Sequence, residues 1–191
     1  MADDEAQGQL ASDQELDAEA QARRRLALAQ IRQYPDPVLR MRARDVESFD
    51  EDLRGLLKRM RQLMHDANGV GLAATQVGIL QRVCVFQEDE ETHAVVNPVI
   101  GERSDETAVD DEGCLSLQGV LVPVERHLRL TLEGHDENGS ALRLELEGLP
   151  ARVAQHELDH LDGTLIIDRT TDEARKHALA TLRPTPILAI G

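Results

Sequence analysis

Apolar residues recur at helical spacing between residues 50 and 67 of the chain. The leucines and methionines of this segment stand three or four positions apart, which places them on one face of a helix. Asp50 is a suitable N-cap, and the Asn-Gly pair after residue 67 is a typical stop signal. The pattern predicts an amphipathic helix over residues 50–67.

Period-two patterns predict strands farther along the chain. Short apolar runs indicate β-strands at residues 82–87, 94–96 and 120–124. A hairpin is marked more clearly, because leucines alternate with polar residues over residues 128–132 and again over 142–146. The turn between them reads Asp-Glu-Asn-Gly, a sequence that favours a tight reversal of the chain. We expect these strands to pair in antiparallel fashion.

Three more segments are typical of helices. Pro150 is well placed to begin one that carries residues 156–160, since proline is favoured in the first helical turn. Composition favours a helix over residues 12–30, and alternating charged and apolar residues predict a surface helix over 171–183. The elements together predict an α+β fold, with antiparallel β-sheets packed around the central helix that carries residues 156–160, and with a C-terminal helix.

Length and charge limit the class of protein. A chain of 191 residues is long enough for one domain of about 150 residues plus tails. The formal net charge of -15 argues against direct sequence-specific nucleic-acid binding and against an anionic membrane surface. Residues 1–22 are acidic and contain no Lys or Arg, unlike a signal or transit peptide. Because no stretch approaches the length of a membrane span, we expect a soluble, cytoplasmic protein.

Two histidines flank a glutamate in the segment His-Glu-Leu-Asp-His at residues 156–160. Residues four apart share a helix face, so His156 and His160 can bind one metal ion while Glu157 stands beside it. A catalytic metal usually takes three protein ligands and leaves a position for water. The motif therefore predicts a metal-dependent hydrolase whose third ligand lies elsewhere in the chain.

The third ligand has candidates on both sides of this motif. Downstream, Ile166 stands where one group of zinc peptidases has a histidine, and Glu173 and His177 lie in the predicted surface helix. Upstream, Cys114 follows three acidic residues and a glycine, at a predicted turn or strand end where a thiolate can face a metal. A packed, inert thiol is the alternative there. Cys84 lies in an apolar run and is interpreted as a core residue.

The segment at residues 68–78 is rich in glycine and alanine, and the amide side chain of Gln76 lies in its small, apolar part. By itself it indicates a tightly packed start of a helix, and its glycine spacing does not match a dinucleotide-binding fingerprint.

Three segments taken together resemble the signature motifs of the peptide deformylase family. They are residues 69–76 (GVGLAATQ), 112–116 (EGCLS) and 155–163 (QHELDHLDG), in the family's order. Residues 31–40 are similar to the family's opening segment. One departure is Gln118, at a position where the family commonly has proline. The resemblance implies a catalytic domain at residues 31–170, an acidic, partly disordered or helical extension at 1–30, and a C-terminal helix and tail at 171–191.

The resemblance also implies the metal site and its chemistry. One divalent metal per chain, natively Fe(II) with Zn, Ni or Co able to substitute, is expected on Cys114, His156 and His160. Glu157 is expected to act as general base and then as proton donor to the leaving amine. The side-chain amide of Gln76 and the backbone N–H of Leu115 are the expected donors to the developing oxyanion.

The same resemblance implies how a formyl-methionyl nascent peptide is bound. The peptide is expected to run extended along the backbone of Val70, Gly71 and Gly113, where glycines allow close approach. The pocket for the methionine side chain is expected to be lined by Val70, Glu112, Leu149 and Val153. Arg152 either reaches the mouth of that pocket or points to solvent.

The expected function is therefore hydrolytic removal of the formyl group, with release of formate. A transient contact with the ribosome through basic residues of the C-terminal helix is also implied. Two alternatives remain open, a metallopeptidase of the His-Glu-x-x-His type and a binding module that has kept the metal without turnover.

Overall fold

The computed structural model describes residues 18–183 of the chain. Its α-helices are α1 (Ala18–Leu28), α2 (Glu51–Asp66), α3 (Leu149–Leu161) and α4 (Asp172–Thr181). Its strands are β1 (Gly71–Ala73), β2 (Val83–Glu88), β3 (Glu91–Arg103), β4 (Thr107–Glu112), β5 (Val122–His127), β6 (Arg129–His135) and β7 (Ala141–Glu147). Short 3-10 helices lie at Pro37–Arg40, Ala74–Val77 and Ile166–Asp168.

The strands form two antiparallel sheets with α3 packed against both. The larger sheet has the order β1-β2-β3-β6-β7, and β4 pairs with β5 in the smaller one. Alternate residues of β2 face opposite sides, so that Val85 packs with α2 while Phe86 packs with Val153 of α3. On its other side α3 reaches the smaller sheet, where Arg152 donates to the Val124 carbonyl of β5 at 2.9 Å. The predicted α+β architecture around this helix is confirmed.

Local signals account for several of these elements. The carboxylate of Asp50 accepts a hydrogen bond from the Leu53 N–H at 3.0 Å, so α2 begins at the predicted N-cap. In the hairpin of β6 and β7, the Asp136 carboxylate accepts from the N–H groups of Asn138 and Ser140, both at 2.8 Å. Pro150 lies in the first turn of α3, as predicted.

Strand β3 is longer than predicted. The apolar run at residues 94–96 ends before Pro98, yet the strand continues to Arg103. Its register against β6 shifts between Val96 and Val99, and Asn97 there has a positive φ of 53°. The Asn97 side chain bonds both the N–H and the C=O of Val46, at 2.8 and 2.9 Å. Pro98 therefore falls in an irregular stretch of the ladder, where a proline is tolerated.

Strand β4 was not predicted from the sequence. The sequence placed its residues Asp110, Asp111 and Glu112 before a turn or strand end, and the strand does end at Glu112, but the start of the strand at Thr107 was not predicted. The segment is extended because it pairs with β5 over its whole length, from Thr107 opposite His127 to Glu112 opposite Val122. Strand β5 itself begins two residues later than predicted and extends to His127.

The two ends of the chain are described in part. Of the predicted N-terminal helix, residues 12–17 lie outside the described residues, and α1 packs on α2 with Ala27 buried. The predicted C-terminal helix is present as α4, capped by the Thr171 hydroxyl, while residues 184–191 lie outside the described part. Within residues 18–183, no helix combines the length and apolar character needed to cross a bilayer.

Candidate metal centre and active site

Helix α3 presents both histidines of the motif towards the inside of the molecule. His156 and His160 are buried, and their Nε2 atoms lie 3.2 Å apart. The four-residue spacing stacks the two rings on one helix face, with ring centroids 4.9 Å apart. The helix is buried along most of its length, so the rings are held by packing on both sheets. The geometry that the motif requires is present.

The chain segment after β4 brings a cysteine to the same point. The Sγ atom of Cys114 lies 3.2 Å from the Nε2 atom of His160, and the side chain is fully buried. The ligand atoms of Cys114, His156 and His160 all lie within 4.8 Å of one another. The downstream candidates Glu173 and His177 are exposed on α4 and are not part of this cluster. Among the described residues, the upstream candidate is the one that joins the histidines.

The other cysteine has a different environment. Cys84 is buried in β2 opposite Val95, inside the apolar cluster between the larger sheet and α3. Burial raises the pKa of its thiol above the usual range, so the neutral form is favoured. This agrees with its interpretation as a core residue.

The donor set fits a divalent metal ion. Two imidazole nitrogens bound to one tetrahedral ion at about 2.0–2.1 Å lie about 3.3 Å apart, close to the separation seen here. The Nε2 atoms of His156 and His160 face each other at 3.2 Å, an arrangement that a shared cation satisfies. A thiolate with two imidazoles suits Zn, Fe, Co or Ni, and the ligand types do not choose among these.

A buried ionic network orients His156. Its Nδ1 atom lies 3.0 Å from Oε2 of Glu112, which fixes the ring and leaves Nε2 directed at the cluster. Arg126 donates to both carboxylate oxygens of Glu112, at 2.9 and 3.0 Å, and to Asp159 of α3 at 2.6 Å. Burial alone would raise the pKa of Glu112, but hydrogen bonds with His156 and Arg126 outweigh it and hold that pKa below its usual range. Glu112 therefore remains a carboxylate.

The contacts of two arginines in this network were not predicted from the sequence. Arg152 does not point to solvent, because its side chain is 11% exposed and donates to Glu112 at 2.8 Å and to the Ala108 carbonyl at 2.9 Å. Arg126 lies in a strand with no local signal of function. Asp159 could have been identified from the sequence, because it lies inside the His-Glu-Leu-Asp-His motif. The partners of the two arginines depend on pairing between distant strands and α3.

Glu157 is buried beside the metal cluster without a hydrogen-bond partner. Neither carboxylate oxygen has one among the described residues, and the side chain is fully inaccessible. Burial raises the pKa of Glu157 to about 7. A carboxyl group with such a pKa can take up and release a proton near neutral pH. A Cβ atom on Gly71 would lie 2.2 Å from Glu157 Oε1, so glycine is what leaves room for this carboxylate.

The amide of Gln76 faces the cysteine side of the cluster. Its Nε2 atom lies 3.7 Å from Cys114 Sγ and 3.2 Å from the Ser116 hydroxyl, while its Oε1 atom accepts from the Ala73 N–H at 2.9 Å. The oxygen is thus occupied and the N–H group is directed into the site. Leu115, next to Cys114, is buried, and its side chain lies against Gly69.

The expected peptide-binding residues lie on or next to β1, β4 and α3. Gly71 lies in β1, an edge strand, and a Cβ there would lie 2.8 Å from Val153 Cγ1. Val70 and Gly113 are half-buried, and Val153 is buried in α3. Leu149, at the start of α3, is 44% exposed. These positions are compatible with the pocket expected from the sequence, and the pocket remains a prediction.

Comparison with known proteins gives consistent matches over most of the chain. The polypeptide deformylase family model matches residues 28–176. The peptide deformylase of Thermotoga neapolitana is 49% identical over 139 residues, which is 73% of this chain and 85% of that protein. The peptide deformylase of Acidothermus cellulolyticus is 46% identical over 158 residues, 83% of this chain and 87% of that protein.

Solved structures give the same result for the fold. The crystal structure of the Thermotoga maritima peptide deformylase matches with a TM-score of 0.72 and 48% identity, covering 74% of this chain and 96% of that one. The Legionella pneumophila peptide deformylase matches with a TM-score of 0.76 and 37% identity, covering 80% and 91%.

Proposed function

Because this chain belongs to the polypeptide deformylase family, we propose that its buried cluster of one cysteine and two histidines is the metal centre of a deformylase. Deformylation of nascent peptides is the activity of this family. The reaction is hydrolytic removal of the formyl group from a formyl-methionyl amino terminus, with release of formate. The observation that carries the site assignment is the unpartnered, buried Glu157 carboxylate beside Cys114, His156 and His160.

The three ligands would hold one divalent ion. When bound there, the ion would supply Lewis acidity, which lowers the pKa of a water molecule towards neutral pH. The Cys114 thiolate offsets part of the metal charge, and the carboxylate of Glu112 keeps His156 in the tautomer that directs Nε2 inward. We propose Fe(II) as the native ion, with Zn, Ni or Co able to substitute, since the donor set accepts each of them.

Glu157 would move the proton in both halves of the reaction. Its carboxylate accepts a proton from the attacking water while the water oxygen bonds to the formyl carbon. As the carbon–nitrogen bond breaks, the same carboxyl group gives that proton to the leaving amine, and formate is the other product. Burial raises the pKa of this carboxyl group, which favours its uptake of a proton from the water.

Gln76 and Leu115 would stabilise the negative charge that develops on the formyl oxygen. The Gln76 N–H group is directed into the site because its oxygen is occupied by the Ala73 N–H. The backbone N–H of Leu115 follows directly after the cysteine ligand. Donors of this kind contribute about 3 kcal/mol each in comparable reactions.

The edge of β1 would receive the peptide. This strand pairs with β2 on one side within the described sheet, so the backbone of Val70 and Gly71 can accept an extended peptide on the other. Gly113 would lie on the opposite side of the peptide. The methionine pocket would be formed by Val70, Glu112, Leu149 and Val153.

The proposed organisation covers the whole chain. We propose a catalytic domain at residues 31–170, preceded by an acidic extension at 1–30 and followed by a helix and tail at 171–191. The exposed basic residues Arg175, Lys176 and Arg183 support a transient ribosome contact in the cytoplasm. The net charge of -15 argues against direct nucleic-acid or anionic membrane binding.

The function is tested by formate release from a formyl-methionyl peptide. Wild-type protein prepared anaerobically with Fe(II) is compared with Glu157→Gln, which keeps the side-chain size but cannot take up the proton. We expect turnover by the wild type and a fall in kcat of about 10²–10⁴-fold in the variant. Bound metal, measured by elemental analysis, should be the same in both. Absence of formate from the metal-loaded wild type would overturn the proposal.

A further inference from the structure

The peptide groups that follow Cys114 are held by bonds from several parts of the chain. The Leu117 N–H donates to the Cys114 carbonyl at 3.0 Å, and the Tyr34 N–H donates to the Ser116 carbonyl at 2.9 Å. Between these two, the carbonyl of Leu115 accepts from a side chain, the Nε2 atom of Gln33, at 2.9 Å. Three successive carbonyls are thus fixed, the middle one by a residue more than eighty positions away in sequence.

The orientation of the Gln33 amide is itself fixed. Its Nε2 atom donates to the carbonyls of Leu115 and Ile31, at 2.9 and 3.2 Å. Both partners are acceptors, so the nitrogen must face them and Oε1 must point away. Oε1 accepts from the Nε2 atom of Gln118 at 3.0 Å. Gln118 occupies the position where the sequence departs from the usual proline, and proline has no side-chain donor to make this bond.

From this chain of contacts we infer that Gln33, supported by Gln118, is a positioning residue for deformylation. Gln33 fixes the Leu115 carbonyl, which limits rotation about the backbone bonds of that residue. The N–H group of Leu115, the proposed donor to the oxyanion, belongs to the preceding peptide group, so Gln33 acts on its direction through the φ and ψ angles of Leu115. Gln33 touches no reacting atom. The inference rests on the proposed function. It identifies Gln33 and Gln118 as the residues that hold the proposed oxyanion donor in place.

The expected cost follows from geometry. A donor stabilises the transition state only when it lies about 2.7–3.1 Å from the oxyanion. A displacement of about 1 Å in an active site can cost about 10²-fold in rate. Loss of one anchor among three should displace the Leu115 N–H by less than that. We therefore expect removal of the Gln33 amide to lower kcat about tenfold and to change KM by less than about twofold.

The direct test compares two variants of Gln33 with a matched control. Gln33→Met keeps the length of the side chain, and Gln33→Glu keeps an acceptor for Gln118, but neither can donate to the Leu115 carbonyl at neutral pH. Gln30→Met is the control, because Gln30 also donates to a backbone carbonyl, that of Leu26 at 3.3 Å, at an exposed position away from the cluster. Both Gln33 variants should show the kcat loss, and the control should match the wild type.

A spectroscopic measurement separates positioning from general destabilisation. In ¹H–¹⁵N spectra of the Zn-loaded protein, the Leu115 amide signal should move in both Gln33 variants and stay in place in Gln30→Met. Retention of the remaining signals shows that a variant is folded. A fall in kcat with an unmoved Leu115 signal, or a change confined to KM, would contradict the inference.

Gln118 gives a second, independent test. Gln118→Ala should lower kcat about two- to threefold, because its bond to Gln33 is exposed and contributes little. The double variant Gln33→Met/Gln118→Ala should be no slower than Gln33→Met alone, since both act through one contact. If the losses in kcat of the two single variants multiply in the double variant, Gln118 does not act through Gln33. Inactive wild type would instead refute the proposed function, whereas active wild type with unaffected Gln33 variants would refute this inference alone.

Discussion

Helix α3 and the cysteine loop, residues 113–118, supply the same metal cluster but are held in different ways. In α3 the relative positions of His156 and His160 follow from the helical period, although the helix itself packs on strands that are distant in sequence. In the cysteine loop the backbone is held by hydrogen bonds from Gln33 and Tyr34, far upstream. The spacing of the two histidines is thus set locally, whereas the backbone that carries the cysteine depends on long-range contacts.

This difference determines how each region should respond to substitution. A regular helix keeps its geometry when one side chain on its surface changes, since its backbone bonds are internal. An irregular loop keeps its geometry only while its external partners remain. Substitutions at positions far from the cysteine in sequence should therefore displace the cysteine loop more than they displace the two histidines.

Substitution of the residue that links the two regions has the largest expected effect on metal affinity and stability. Glu112, at the end of β4, holds His156 of α3 and is itself held by Arg126 and Arg152. Glu112→Gln removes the charge that both arginines neutralise and weakens the orientation of the imidazole. We expect metal affinity to fall about 10–100-fold, measured by competition with a chelator. The free energy of unfolding should fall by about 1–3 kcal/mol.

A matched control for that variant lies on the larger sheet. Glu133 pairs with Arg143 at 2.6 Å, but both side chains are largely exposed, so Glu133→Gln should change stability by less than about 1 kcal/mol. Metal affinity should be unchanged. Equal metal affinity in Glu112→Gln and Glu133→Gln would show that Glu112 does not link the two regions.

An ion pair outside both regions has the smallest expected effect on the free energy of unfolding. Asp168 pairs with Arg40 and accepts from the Leu165 N–H at 2.9 Å. Burial would raise the pKa of Asp168, but these hydrogen bonds outweigh it and lower that pKa below its ordinary value of 3.8. The stabilisation is therefore present above about pH 4 and is lost as the pH falls through the folded-state pKa.

Asp168→Asn tests that dependence. Because both side chains of the ion pair are partly exposed, we expect the free energy of unfolding to fall by less than about 1 kcal/mol at pH 7, measured by urea unfolding. The difference from the wild type should narrow below about pH 4, where the wild-type carboxylate begins to take up a proton. A gap that widens on acidification would contradict this account of Asp168.

The same contrast explains which features the sequence could predict. Pro150 and the four-residue spacing of His156 and His160 predicted the helix that carries them, and alternation predicted the hairpin of β6 and β7. The loop side required a resemblance, because residue spacing left Cys114 open between a ligand and a packed thiol. Nothing local to Gln33 indicates a contact with Leu115.

The ionic network around Glu112 also could not be predicted from the sequence. The sequence indicated a turn or strand end after Glu112 but not the extent of β4 or the burial of this carboxylate, which two arginines from β5 and α3 neutralise inside the protein. Those pairings depend on tertiary structure that no local pattern encodes. The positions of Val70 and Val153 near Gly71 agree with the expected pocket, and its role in binding methionine is still a prediction.

The central claim is that one metal ion takes ligands from both regions. X-ray absorption at the Zn edge of the Zn-loaded wild type tests it directly, with Cys84→Ala and Cys114→Ala as the matched pair. We predict one sulphur at about 2.3 Å and two imidazole nitrogens at about 2.0 Å in the wild type and in Cys84→Ala. The sulphur contribution should be absent from Cys114→Ala. A wild-type spectrum without sulphur, or a sulphur that persists in Cys114→Ala, would contradict the account.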